Sequence, residues 1–196
     1  MNGPAAPPLA ASDGLALVHL AAATVRARLT GRAIDGRPPP SAALRAMGSS
    51  FVTLERAGRL RGCIGTLEAG RPLYRDVARN AIRAMADPRM KPVACEEWPE
   101  LEVSVSVLSR AEPLPVHGLT DLRERIRPHV DGLILTVGSR QATFLPAVWK
   151  KLPDPGDFVA ALLAKGGWAR DRWPAGVLVR RYTAMEFHDE RPHQPL

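Results

Sequence analysis

Phe51-Val52-Thr53-Leu54-Glu55-Arg56-Ala57-Gly58-Arg59-Leu60-Arg61-Gly62-Cys63-Ile64-Gly65 reads as two short strands folded back on each other. Glu55 to Arg59 separates the strand formers and holds Gly58, which can take the positive φ of a tight hairpin turn. Strands joined so tightly run antiparallel, so this stretch sets the type of sheet. Alternation along the second strand puts Leu60, Gly62 and Ile64 on one face and Arg61, Cys63 and Gly65 on the other. Arg61 and Cys63 then stand roughly 6.6 Å apart at about 3.3 Å per residue. At that range a guanidinium favours the thiolate if water is kept away. Glycines at 62 and 65 leave the backbone open to close approach by a ligand. The same spacing also fits a cysteine that packs as a small hydrophobe beside glycines that mark a bulge.

Outward from the hairpin, local patterns alternate between helix and strand. Upstream, Ser12 is placed to cap a helix with apolar positions Leu15, Val18, Ala22, Val25 and Leu29, ended by Gly31. Gly36 to Ser41 is a stiff, proline-rich connection. Residues 1–11, rich in Ala and Pro, are expected to be a disordered leader, and residues 191–196 a frayed tail. Downstream, Pro72 starts a helix that stops before Asp87-Pro88. Leu73, Val77, Ala81 and Met85 face its core side, while Arg75, Arg79 and Arg83 line the other as a solvated surface or a binding patch. Leu101 to Leu108 alternates cleanly, with Glu102, Ser104 and Ser106 on its polar face; beside the Cys63 strand that face either floors a polar cleft or meets water.

Thr120 to Ile126 reads as a short helix, and residues 132–137 and 142–145 as a second hairpin. Asp154-Pro155 opens a helix through Lys165 that Gly166-Gly167 closes, and residues 177–187 read as one last strand. Hairpins with helices between them make an antiparallel α+β fold rather than a Rossmann type. Neither Gly-x-Gly-x-x-Gly nor a Walker A pattern appears, so no nucleotide cofactor is expected.

At 196 residues and 45% hydrophobic content the chain can bury a sizeable core. It shows neither a secretory signal nor an 18-residue apolar run, so the expectation is a cytoplasmic protein that does not span a membrane. Two cysteines without Cys-x-x-Cys spacing, and five histidines without ligand spacing, give no disulfide framework and no expected metal site. The net charge of +7 is unevenly spread: residues 20–92 carry 14 basic and 5 acidic side chains, and residues 93–136 carry 4 and 8. That asymmetry favours anionic partners, nucleic acid among them, although 23 of the 27 basic residues are Arg, a bias that genome composition alone can produce.

Phe51 to Leu54, Leu60-Arg61-Gly62-Cys63-Ile64-Gly65-Thr66-Leu67-Glu68, Asp87-Pro88-Arg89, Leu101 to Leu108, Ala142-Thr143-Phe144-Leu145-Pro146 and Leu163-Ala164-Lys165-Gly166-Gly167-Trp168 together resemble the AMMECR1 domain family, in family order. The resemblance implies two subdomains, each an antiparallel sheet flanked by helices, with a cleft between them. The larger would comprise residues 12–108 plus 172–190, and the smaller the inserted residues 109–171. It also implies that the Leu-Arg-Gly-Cys-Ile-Gly stretch faces the cleft, and it suggests Memo-like and radical SAM proteins as pathway partners.

Within that frame the candidate catalytic residues are Cys63, as nucleophile or redox thiol, Arg61 beside it, and Glu68 or Glu102 as acid or base. Gly62, Gly65, Thr66, Ser104, Ser106, Arg89 and Lys165 are candidates for binding a sizeable anionic substrate. Two positions depart from the family pattern: Met90 replaces an aromatic, and Asp131 stands where a His often precedes the hairpin glycine. The matched segments therefore offer Cys63 no imidazole partner. A thiol enzyme, an anion-binding module for nucleic acid or an acidic protein face, and an interaction protein remain the three readings.

Overall fold

The structure, a computed structural model, describes residues 9–34, 36–189 and 193–196. Most of the expected leader therefore lies outside the described residues. The chain runs α1 (Ala11–Leu29), α2 (Ala42–Arg45), β1 (Met47–Gly48), β2 (Ser50–Arg56), β3 (Arg59–Gly65), β4 (Arg71–Pro72) and α3 (Leu73–Ala84). A 3-10 turn (Cys95–Glu100), β5 (Leu101–Leu108), β6 (Glu112–Pro113), α4 (Leu119–Arg125), β7 (Gly132–Val137) and β8 (Arg140–Phe144) follow. A second 3-10 turn (Pro146–Lys150), α5 (Pro155–Lys165), β9 (Leu178–Tyr182) and β10 (Ala184–His188) complete it. Two units result, Met1–Leu108 with Met185–Leu196, and Ser109–Ala184.

The first unit is built on the hairpin. Ala57 and Gly58 both take positive φ, 50° and 71°, a two-residue turn whose twist suits antiparallel strands. The sheet order is β10-β5-β2-β3, with β3 at one edge. Val52 and Leu54 of β2 and Val103, Val105 and Val107 of β5 turn to one face and join Leu17, Val18, Ala21 and Val25 of α1 and Val77, Ala81 and Ala84 of α3 in one core. The opposite face carries the short polar side chains. Thr53 lies in register between Cys63 and Ser104, and Phe51 between Gly65 and Ser106.

The second unit carries the sheet β6-β9-β7-β8 over a separate core of Leu122, Leu133, Leu135, Phe158, Leu162 and Trp149. The Trp149 and Phe158 rings stack with centroids 3.9 Å apart. Asp154 caps α5 as its sequence predicts, accepting the Asp157 N–H at 3.0 Å.

Several expectations change. The first helix is capped by Ala10 rather than Ser12, and Asp13 folds back to accept the Ala10 N–H at 3.1 Å. Its buried stripe runs through Gly14, Leu17, Val18, Ala21 and Val25, leaving Leu15 49% exposed. The cause is Phe187, whose ring comes so close to Gly14 that a Cβ there would lie 2.1 Å away. The last strand is two: β9 pairs with β7 and β10 joins the first sheet, so residues 172–184 lie in the second unit and not with residues 12–108. Thr183 makes the switch, its carbonyl accepting Ser109 N–H and its own N–H donating to the Ser109 hydroxyl, both at 2.9 Å. Nor does the described end of the tail, residues 193–196, fray. His193 stacks on Trp98 at 4.0 Å, and Trp98 Nε1 donates to the Gln194 carbonyl at 3.0 Å.

Candidate functional site

Half the backbone groups of an edge strand point away from its sheet and need partners. At Cys63 both find them in the Asp87-Pro88-Arg89 turn. Asp87 Oδ2 accepts the Cys63 N–H at 3.0 Å, and Arg89 Nη2 donates to the Cys63 carbonyl at 3.1 Å. Arg89 also grips Asp87, Nε to Oδ1 at 2.9 Å and Nη2 to Oδ2 at 2.6 Å. These guanidinium bonds, against the opposing cost of burial and with help from the Cys63 and Arg89 N–H groups, hold the buried Asp87 carboxyl far below the ordinary carboxylate range.

Gly62 is what lets the turn reach the strand. A Cβ there would sit 1.9 Å from the carbonyl oxygen of Ala84, the last residue of α3. Without a side chain, β3 receives the end of α3, and the residues after that helix fall beside Cys63. The open backbone expected for a ligand at this glycine is thus filled by the protein itself.

Since Cys63 turns both backbone groups outward, its pairing with Thr53 is the kind that lacks ladder bonds and brings side chains closest. The Thr53 hydroxyl accordingly donates to the half-buried Cys63 sulfur at 3.2 Å. Ser104 follows across Thr53, and Ser106 one row on, beside Phe51. Gly65 lies beneath the Phe51 ring, 2.2 Å from where its Cβ would be.

Arg61 takes a different path. The β2–β3 register skips it: Leu54 faces Gly62 and Glu55 faces Leu60, so Arg61 is the extra residue of a bulge and the strict alternation fails there. Its guanidinium meets Glu97 through two bonds, 2.6 and 2.8 Å, and reaches the Lys91 carbonyl at 3.4 Å. These bonds push the Glu97 carboxyl down to about 2, against burial and with the Ala94 N–H and the Arg61 and Arg56 charges adding to the effect. The cation at the Cys63 backbone is therefore Arg89.

A family profile described as AMMECR1 matches residues 18–187. The chain belongs to the AMMECR1 family. A Methanothermobacter thermautotrophicus protein is 36% identical to it over 93% of this chain and 97% of its own, and Methanocaldococcus jannaschii protein MJ0810 is 33% identical over 94% of each. The crystal structure of the uncharacterized protein PH0010 from Pyrococcus horikoshii superposes with a TM-score of 0.83 at 32% identity, covering 93% of this chain and 97% of that one.

In this AMMECR1-family protein, Cys63, Gly65, Ser104, Ser106 and Arg89 share one sheet face or its edge, while Gly62 turns the other way, toward the end of α3. The other candidates lie apart. Thr66 turns inward, donating to Asp76 Oδ1 at 2.9 Å in a buried cluster where Asp76 also accepts the Ser50 N–H and hydroxyl and the Asn80 amide. Glu68 is exposed beyond the end of β3. Glu102 pairs with Glu55, two residues along from the row of Ser104, Thr53 and Cys63. Lys165 belongs to the second unit, donating to the Thr143 carbonyl at 2.9 Å and lying 5.0 Å from the Phe144 ring. Asp131, where relatives often carry His, is buried and clasped by Arg127.

Sequence reasoning passed over Asp87 and Thr53. Asp87 was visible as the first residue of Asp87-Pro88-Arg89, but nothing local marks its carboxylate as the acceptor of an amide 24 residues earlier. Among the described residues no group of three His, Cys, Asp or Glu side chains is placed to hold a metal ion, and no helix is long and apolar enough to cross a membrane.

Proposed function

We propose that the protein binds an anionic substrate on the sheet face around Cys63 and that the Cys63 thiol is the group that reacts with it. One observation carries this reading. Asp87 and Arg89 fix both backbone groups of Cys63, while its sulfur stays half-buried in a row with Thr53 and Ser104. A nucleophile works best when its position is set by groups other than those it must attack. Arg89 is the cation for the substrate: Nε and Nη2 are engaged, yet the side chain is 59% exposed and can meet an anion beside the thiol. Thr53 donates to sulfur, which favours the thiolate over the thiol. Ser104 is a short polar group suited to orienting a bound molecule, whereas Ser106, one row on, is buried.

The exposed Cys95 serves as an internal reference for the test. Iodoacetamide labelling of the native protein at neutral pH, followed by peptide mass spectrometry, is expected to modify Cys63 faster than Cys95 despite its lower exposure. Arg89→Ala is expected to slow Cys63 labelling about tenfold and leave Cys95 unchanged, a difference of about 1.4 kcal/mol in the barrier. Labelling of Cys63 slower than Cys95, and indifferent to Arg89→Ala, would remove the reading.

A further inference from the structure

Most arginines with a defined partner in this protein end on a carboxylate. Arg56 meets Glu100, Arg61 Glu97, Arg71 Asp76, Arg89 Asp87, Arg125 Asp121 and Arg127 Asp131. Arg75, Arg79 and Arg83 differ. All three are exposed on α3, whose opposite side is buried through Leu73, Val77, Ala81 and Ala84. Asp76 is the one acid on this helix, and it is fully buried on the inward side. Among the described residues no carboxylate pairs with any of the three; Arg75 Nε donates to the Tyr74 hydroxyl at 3.0 Å.

Successive members are four residues apart, about 6 Å along the axis at 1.5 Å per residue, so the row is about 12 Å long. Like charges at this spacing cost a few tenths of a kcal/mol per pair, and nothing on the same face offsets that. With its ends about 12 Å apart, the row fits a linear polyanion better than a single small anion. Tyr74, the aromatic of α3, is only 7% exposed, which leaves no platform for stacking unpaired bases. Apart from these three, residues 20–92 carry 11 basic and 5 acidic side chains, which adds field of the same sign.

We infer that the outer face of α3 binds the phosphate backbone of a nucleic-acid duplex, with Arg75, Arg79 and Arg83 each contacting a phosphate and none reading a base. This surface is independent of the Cys63 reading. The test is fluorescence anisotropy of the full chain with labelled DNA and RNA duplexes of mixed sequence. Three phosphate contacts give a slope of log K against log salt near −2.7, an affinity loss of about 40-fold between about 50 and 200 mM salt. Combined Arg75→Gln, Arg79→Gln and Arg83→Gln substitution is expected to abolish binding at the lowest salt without changing the melting temperature. Should that variant misfold, Arg79→Gln alone is expected to lower the slope by about 0.9, and Arg79→Lys to keep it. The inference fails if the wild-type chain does not bind a duplex at low salt, if the Gln variants bind with the same slope, if single strands bind more tightly than duplexes, or if polyglutamate competes as well as a duplex does.

Discussion

Gly62 and Gly65 stand three residues apart on one strand, yet different neighbours exclude a side chain at each. At Gly62 the obstacle is the Ala84 carbonyl, backbone at the end of a helix, at 1.9 Å; at Gly65 it is the Phe51 ring at 2.2 Å. The Phe51 side chain can swing aside about χ1, whereas a helix end moves only with the helix. Gly62→Ala is therefore expected to lose about 3 kcal/mol of stability and Gly65→Ala about 1 kcal/mol, measured by urea unfolding. Equal losses would mean that α3 is not seated on β3 as described. Gly62→Ala should also speed proteolysis in the Asp87 turn, since the clamp on Cys63 depends on the same contact. Both glycines were legible in the sequence as places of close approach. What approaches them was not, because Ala84 and Phe51 reach them only once the helix and the hairpin have packed.

The 3-10 turn Cys95–Glu100 is tied to the hairpin through two carboxylates, the exposed Glu100 accepting from Arg56 and the more buried Glu97 from Arg61. Glu97 accepts from Arg61 twice and from the Ala94 N–H, with a side chain only 13% exposed. Its pKa is lowered on folding to about 2, so the stability it contributes is fully present above the unfolded value near 4.5 and is lost as pH falls toward 2. Glu97→Gln is expected to cost about 2 kcal/mol at pH 7 and to flatten the acid side of the stability profile between about pH 4.5 and 2. Chemical denaturation across that range measures both effects, and an unchanged acid limb would show that the Arg61 pair contributes nothing. The strand from Val177 to Phe187 carries the corresponding lesson. Its alternation runs unbroken through Thr183, so the sequence shows one strand where the fold uses two in different sheets. The division depends on Ser109, 74 residues earlier, which supplies both hydrogen bonds at the crossing.

Two separate cores hold the protein, one under the sheet of β2 and β5 and one under that of β7 and β9. In the second, Phe158 is fully buried, stacked on Trp149 and edge-on to Phe144 at 5.3 Å. Phe158→Ala is expected to cost about 3–5 kcal/mol, and hydrogen exchange should show the first loss of protection in β7, β8 and α5. Early loss in β2 and β5 instead would contradict the division into two cores. The antiparallel hairpins, the amphipathic α3, the Asp154 cap and the clean alternation of Leu101 to Leu108 were determined by the sequence alone. Each follows from residues within a few positions of one another, where backbone geometry and side-chain period act directly. Tertiary structure alone decided that Arg61 serves Glu97, 36 residues on, that Asp87 and Arg89 hold Cys63, and that Thr66 belongs to a buried cluster. Those pairings pass through contacts such as Gly62 against Ala84, where the shape of packed elements, and not local preference, chooses which charged group meets which.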